Sequence, residues 1–288
     1  MSALSIEFAG CRYRFAGLNP EQADLVRSRF EALLCRDDAR PDVQVDVHYS
    51  PNPAGFMRRP VGPVEYRAAV EHSEDSIAVA GIGFRARVER APLRAQMQTC
   101  LSDEWFLGAF ENLFRVVASY RLFGEGALVL HSAAFTDGTR GFLFCGRSGA
   151  GKSTLCGLAA ELELGILSDE LNAVTPSDGS FELRAMPFAG DFGGAPRPHP
   201  PYPLTGLLGL SHSAAPLVHG CSKAEGVSRI VASCPYINAD PLLVDELTAR
   251  AAMLVDRVPL RVLSFAKDTR FWSVLDHEYR SPDATLSR

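Results

Sequence analysis

The chain has 288 residues, enough for one large domain or two smaller ones at roughly 150 residues each. It is 47% hydrophobic and 22% charged, an ordinary composition for a globular protein with a buried core. Its 29 Lys and Arg face 34 Asp and Glu, a net charge of −5, so no basic surplus drives it onto nucleic acid or an anionic membrane, and neither is an expected partner. The seven Cys have no C-x-x-C spacing and no signal peptide opens the sequence, so a reduced, cytoplasmic setting is the expectation. No apolar run approaches the roughly 18 residues of a membrane-spanning helix.

Residues 1–100 read as a small α+β unit, with a boundary expected near residue 100. Ile6–Phe15 alternates as one strand. Asn19-Pro20-Glu21-Gln22 then offers an N-cap, a Pro at the first helical position and a capping-box Gln, with Val26, Phe30 and Leu33 at helical spacing. Val43–Val47, Val64–Val70, Ser76–Ala80 and Phe84–Val88 are strand candidates, with a Pro-rich loop over Pro51–Pro63. Asp103–Phe123 is the clearest helix. Its stripe of Phe106, Phe110, Leu113, Val117 and Tyr120 is expected to pack against the following domain.

The second part, 101–288, continues with apolar runs at Ala127–Leu130 and Gly141–Cys145 around an Asp137-Gly138 hairpin turn. Leu155–Leu162, Ser222–Ser233 and Pro241–Val255 carry helical patterns. Leu204–Leu210 and Leu260–Phe265 read as strands, Ala189–Pro203 as loop, and the tail after Tyr279 as a fraying end.

The strongest chemical signal is Gly146-Arg147-Ser148-Gly149-Ala150-Gly151-Lys152-Ser153, which satisfies G-x-x-x-x-G-K-[ST] between a short apolar strand and a helix. Lys is scarce here, occurring only as Lys152, Lys223 and Lys267, and a chance match is on the order of a few in a thousand. Glycines let successive backbone N–H groups converge on one anion, and the helix start adds its positive dipole end. Gly146, Ser148, Gly149, Ala150, Gly151, Lys152, Ser153 and Thr154 are therefore the expected nucleotide-binding residues. Lys152 would reach the β- and γ-phosphates, Ser153 would hold Mg²⁺, and Thr154 would lie on the α-phosphate side.

Asp169-Glu170 follow one short helix after the loop, and His131 ends the apolar run before it. At Leu130-His131-Ser132, Gly146–Ser153 and Leu167-Ser168-Asp169-Glu170 the chain resembles the HPr kinase/phosphorylase family, whose P-loop fold is shared with ATP-dependent phosphoenolpyruvate carboxykinase. The resemblance covers residues 125–195 closely, and is strongest to the shorter HPr-kinase-related proteins found beside peptide-modifying enzymes. It implies an α/β fold, α+β overall: a P-loop domain with a smaller N-terminal domain. Thr154 stands where members acting on HPr carry Glu, and Glu170 where the second acid is Asp. Kinase chemistry is kept, without the reverse phosphorolysis linked to the segment that Phe188–Gly193 only echoes.

The implied cofactors are ATP and Mg²⁺, and the implied acceptor is a Ser or Thr hydroxyl on a protein or ribosomally made peptide. Asp169 is the expected base, with a second duty as a metal ligand; its plain alternative is a turn cap. Glu170 is either a water-mediated metal ligand or a solvent-facing neighbour. His131 would hold a phosphate oxygen as imidazolium or orient Asp169 as imidazole. Asp191 is a turn residue or a contact to substrate or metal, and Lys223 and Arg229 lie on a helix where they either add positive charge to the phosphate site or, as the favoured reading, form an exposed face. Cys145 and Cys156 read as small buried thiols, and His199, His212 and His219 lack metal-ligand spacing. Two other functions fit the same residues: a small-molecule kinase, and a nucleotide-gated binding module. A homo-oligomer is left open.

Overall fold

A tight turn separates the first two strands. Ala9 and Gly10 take φ of 50° and 77°, so the run expected as a single strand folds as two, β1 (Ser2–Phe8) and β2 (Cys11–Leu18), paired antiparallel. The computed structural model describes residues 2–36, 40–60, 68–188, 190 and 199–280. Helix α1 (Pro20–Phe30) starts at the expected capping box: Gln22 N donates to Asn19 Oδ1 at 2.8 Å and Asn19 N to Gln22 Oε1 at 3.0 Å. Strands β3 (Leu34–Cys35), β4 (Val43–Tyr49), β5 (Ala69–His72), β6 (Ser76–Gly81), β7 (Phe84–Arg90) and β8 (Leu93–Thr99) complete a mixed sheet in the order β3-β1-β2-β4-β8-β7-β6-β5. The sequence gives little sign of β8, whose buried side is Ala95, Met97 and Thr99 between outward Arg94, Gln96 and Gln98. Most of the strand expected at Val64–Val70, most of the loop expected at Ala189–Pro203 and the tail after Arg280 lie outside the described residues.

Helix α2 (Glu104–Gly124), capped by Asp103, buries its aromatic stripe, and Phe110 of that stripe lies 4.5 Å from Phe15 of the first sheet. The Phe114 ring lies 5.6 Å from Phe8, 5.1 Å from Tyr13 and 4.9 Å from Phe15. Such ring pairs add about 0.5–1.5 kcal/mol each beyond their area burial. The chain accordingly divides into compact units after Glu125, later than the boundary expected near residue 100, and Asp240–Leu242 also group with the first unit.

The second unit is built on β9 (Leu128–Thr136) and β10 (Gly141–Cys145), the expected antiparallel hairpin. There follow α3 (Lys152–Glu161), β11 (Gly165–Ser168), β12 (Leu171–Ser177), β13 (Ser180–Ala185), β14 (Tyr202–His212), β15 (Leu217–Gly220), α4 (Lys223–Ser233), α5 (Val244–Arg257), β16 (Arg261–Phe265) and α6 (Phe271–Tyr279). Of these, β12, β13, β15 and α6 are not anticipated by the sequence pattern. The sheet runs β10-β9-β12-β13-β14-β16-β15, with β11 also on β9 and a parallel β10–β14 pairing that closes a circuit of strands. Strands β10, β14 and β16 are mutually parallel, so their carboxyl ends lie at one end of the sheet. Phe135, Phe144, Leu155, Leu263, Phe265 and Phe271 belong to the core between this sheet and α3 and α6. None of the seven cysteines is in a disulfide among the described residues.

Arg140, just before β10, ties the β9–β10 turn to α6. Its guanidinium bonds Asp137 at 2.7 Å and Asp276 at 2.6 Å and lies 5.4 Å over the Phe142 ring. Burial raises the Asp137 pKa, but hydrogen bonds from Arg140 and Thr139 outweigh it and hold the carboxyl below its ordinary value. Hydrogen bonds from Arg140 and Arg280 lower that of Asp276. Carboxyls with lowered folded-state pKa stabilise the fold above their unfolded pKa, and that contribution is lost as pH falls through the folded value. Arg140→Met keeps the apolar stem and should lose about 1–2 kcal/mol at neutral pH. Urea melts of both proteins from pH 7 to pH 2.5 should show the gap closing below about pH 4. A gap unchanged with pH would assign the loss to packing alone.

Candidate functional site

The loop predicted to bind phosphate springs from the carboxyl end of β10 and closes on the first turn of α3. Gly149 and Gly151 take φ of +79° and +96°, a region side-chain-bearing residues rarely adopt. Gly151 is doubly constrained, since a Cβ there would lie 3.1 Å from Phe265 Cζ. Lys152 folds back into the curve of the loop and is only 8% exposed. Its Nζ donates to Gly146 O at 3.0 Å and Arg147 O at 3.4 Å. Burial lowers the Lys152 pKa, and Cys145, Glu170 and Asp169 oppose that shift. Ser153 and Thr154 are half-buried on the first turn, while Ser148 and Gly149 are exposed at the tip.

Strand register carries the acids to the loop. Cys145 pairs with Ser132 on β9, and on the other edge of β9 His131 pairs with Leu171. Ser132 N donates to Glu170 O at 3.1 Å, so the turn between β11 and β12 lies beside Ser132. Asp169 at its apex is 4% exposed, whereas Glu170 and His131 are half-buried. The sequence-predicted loop, Asp169, Glu170 and His131 therefore converge on one end of the second sheet.

Three residues beyond that prediction hold the turn. Ser168 Oγ accepts from Glu170 N at 3.1 Å and Leu171 N at 3.3 Å, and donates to Phe188 O at 3.3 Å. Buried Asn172 donates through Nδ2 to Ser132 O at 3.0 Å, Ser132 Oγ at 3.1 Å and Ser168 O at 3.3 Å. A polar Asn inside the apolar run Leu171–Val174 was the available signal. The third is Gly190, where a Cβ would stand 2.3 Å from Asp169 Oδ1. Asp191 lies outside the described residues.

Two cations expected on an exposed helix face part company. Lys223 pairs with Asp256 at 2.7 Å on the surface. Arg229, bonded to Glu225 at 2.9 Å, leans over Gly209, the residue paired with Cys145 at the root of the loop. Burial pushes the thiols of Cys145 and Cys156 up to about 12, so both stay protonated and unreactive at neutral pH. Among the described residues no three His, Cys, Asp or Glu side chains cluster as a metal site. A hydroxyl (Ser153) and a carboxylate (Asp169) still suit Mg²⁺, which usually takes one or two protein ligands and completes its shell with phosphate and water.

The contact of Gly190 with Asp169 predicts a thermodynamic coupling. Gly190→Ala should destabilise the protein by about 1–3 kcal/mol through overpacking. In an Asp169→Ala background the same change should cost distinctly less, because its clash partner is gone. A denaturation double-mutant cycle measures this, and strictly additive effects would refute the contact. Compared with known proteins, the chain matches no protein-family model and no curated protein.

Proposed function

We propose that the chain is an ATP- and Mg²⁺-dependent kinase that passes the γ-phosphoryl group to a hydroxyl, with Ser or Thr of a protein or ribosomally made peptide as the favoured acceptor. One observation carries the reading: a phosphate-type loop with its lysine buried in the curve faces a buried aspartate across strand β9. A nucleotide loop alone would serve a gated binding module. A buried carboxylate beside it favours proton transfer. The resemblance of Leu130–Ser132, Gly146–Ser153 and Leu167–Glu170 to the HPr kinase/phosphorylase family points the same way, and with it to a P-loop domain of that type.

In this reading backbone N–H groups of Gly149–Ser153 and the start of α3 cradle the phosphates, and Lys152 neutralises charge at their outer end. The Ser153 hydroxyl and an Asp169 oxygen would hold Mg²⁺, which would neutralise charge on the phosphates when bound. ATP supplies the transferable phosphoryl group when bound. Asp169 takes the proton from the acceptor hydroxyl at its carboxylate, oriented by the Ser168–Asn172 turn and kept from bulk water by its burial. His131 holds a phosphate oxygen or steadies Asp169, and Glu170 contributes through water.

Lys152→Ala should weaken ATP–Mg²⁺ binding severely in calorimetric titration; equal affinity and turnover would sink the assignment. Asp169→Asn keeps the shape but loses the base, so it should leave ATP binding nearly intact. Transfer of γ-label to candidate peptides or a cell extract should fall by at least about 10²-fold. Loss of ATP–Mg²⁺ binding in Asp169→Asn would make Asp169 chiefly a metal ligand. Rapid hydrolysis by the wild type with no label transferred would favour the gated module.

A further inference from the structure

The two sides of the phosphate-type loop differ. On one side lies antiparallel β9, with His131 and the Asp169 turn beyond it. On the other lie the carboxyl ends of the parallel strands β14 and β16, where ligands of open α/β sheets characteristically bind. With its γ end toward Asp169, a nucleoside triphosphate extended across the loop carries its ribose and base toward β14 and β16.

An exposed side chain on that side of the loop is His212, the last residue of β14. Its Cε1 lies 3.5 Å from the point where a Gly151 Cβ would stand, and Phe265 Cζ lies 3.1 Å from the same point. His212 is exposed, Phe265 is buried, and their ring centroids are 6.1 Å apart at 35°. Backbone bonds hold this corner: His212 pairs with Phe265 in the β14–β16 ladder, and Ser213 N donates to Phe265 O at 3.0 Å. Arg270 further ties the two following loops by donating to Ala214 O at 3.4 Å. An exposed ring backed by a buried aromatic, on rigid strand ends beside an anion loop, has the form of a stacking surface for a flat heterocycle.

We propose that His212, buttressed by Phe265, is the stacking platform for the nucleobase of the bound nucleoside triphosphate. The inference rests on the nucleotide-binding reading above, and adds a residue that neither the loop motif nor the family resemblance assigns. Stacking acts on the base alone and leaves the phosphates to the loop, so the two contributions can be separated by ligand.

The test titrates the full chain with ATP–Mg²⁺ and with tripolyphosphate–Mg²⁺, which has the phosphates without the nucleoside. His212→Ala should weaken ATP by about tenfold and leave tripolyphosphate within about twofold of wild type. His212→Phe, which keeps a stacking ring, should restore ATP affinity to within about threefold. Unchanged ATP affinity in His212→Ala would overturn the platform, as would an equal loss of tripolyphosphate, which would make His212 a phosphate contact. Failure of His212→Phe to restore binding would overturn stacking as the mechanism. A wild type that binds neither ligand would reject the nucleotide-binding reading itself, and the platform with it. A circular-dichroism melt of each variant confirms that the fold is kept.

Discussion

Everything at the site depends on the register of one strand. β9 has two pairing edges: one fixes β10 and so the root of the glycine loop, the other fixes β11 and β12 and so the turn of Asp169. A slip of one residue on either edge would reverse which side chains face the core and separate the loop from the acid. The strand is defended against such a slip. Ala133 and Phe135 lie in the core, and the turn beside Ser132 is tied to β9 by Asn172 and by the bond from Ser132 N to Glu170 O. Arg140 holds the far end of the hairpin to α6. Loop and carboxylate are thus both anchored to paired strands of one sheet, which fixes their separation.

Steric exclusion supplies the second constraint. Gly190 lacks a side chain because the Asp169 carboxylate stands where a Cβ would be, whereas Gly151 combines a left-handed φ with tight contact to Phe265. At Gly190 the backbone of one segment approaches a functional group of another too closely for a methyl group. Core and site are consequently continuous, because Phe265 packs with Phe271 and Leu275 of α6 while also touching the loop.

What could be read in the sequence follows from how local each signal is. The α1 capping box, the α2 stripe, the Asp137-Gly138 hairpin and the glycine loop are each written within a few consecutive residues, and the structure has an element at each. Asp169 and His131 were legible only through spacing and resemblance, and the structure brings both to the loop through pairing. Other features were not legible because their cause is distant. The unit boundary moved to Glu125 because the α2 aromatics find Phe8, Tyr13 and Phe15 on strands far earlier in the chain. β8 carries little strand signal because Arg, Ala, Gln and Met are poor strand markers, and pairing with β4 and β7 holds it as a strand. Gly190 and Asn172 carry meaning only once Asp169 and Ser132 are known to stand beside them.

Charge connects the proposed chemistry to its metal. Lys152 sits in the electrostatic reach of both Asp169 and Glu170, so one buried cation faces two carboxylates. Arg229 leans toward the root of the loop but is itself engaged by Glu225. His131 can add a positive charge only when protonated. With Arg147 of the loop counted, two cations stand against two carboxylates, so the local balance is near neutral before any ligand arrives, and a triphosphate brings negative charge. Backbone N–H groups and a helix terminus offset part of that repulsion, yet they carry only partial charges. A divalent cation arriving with the nucleotide would turn the Asp169 carboxylate from an obstacle into a ligand and let Glu170 contribute through water. The same acids that would repel a bare triphosphate are those suited to a magnesium-bound one, so in the proposed reading metal dependence would follow from this site's charge distribution.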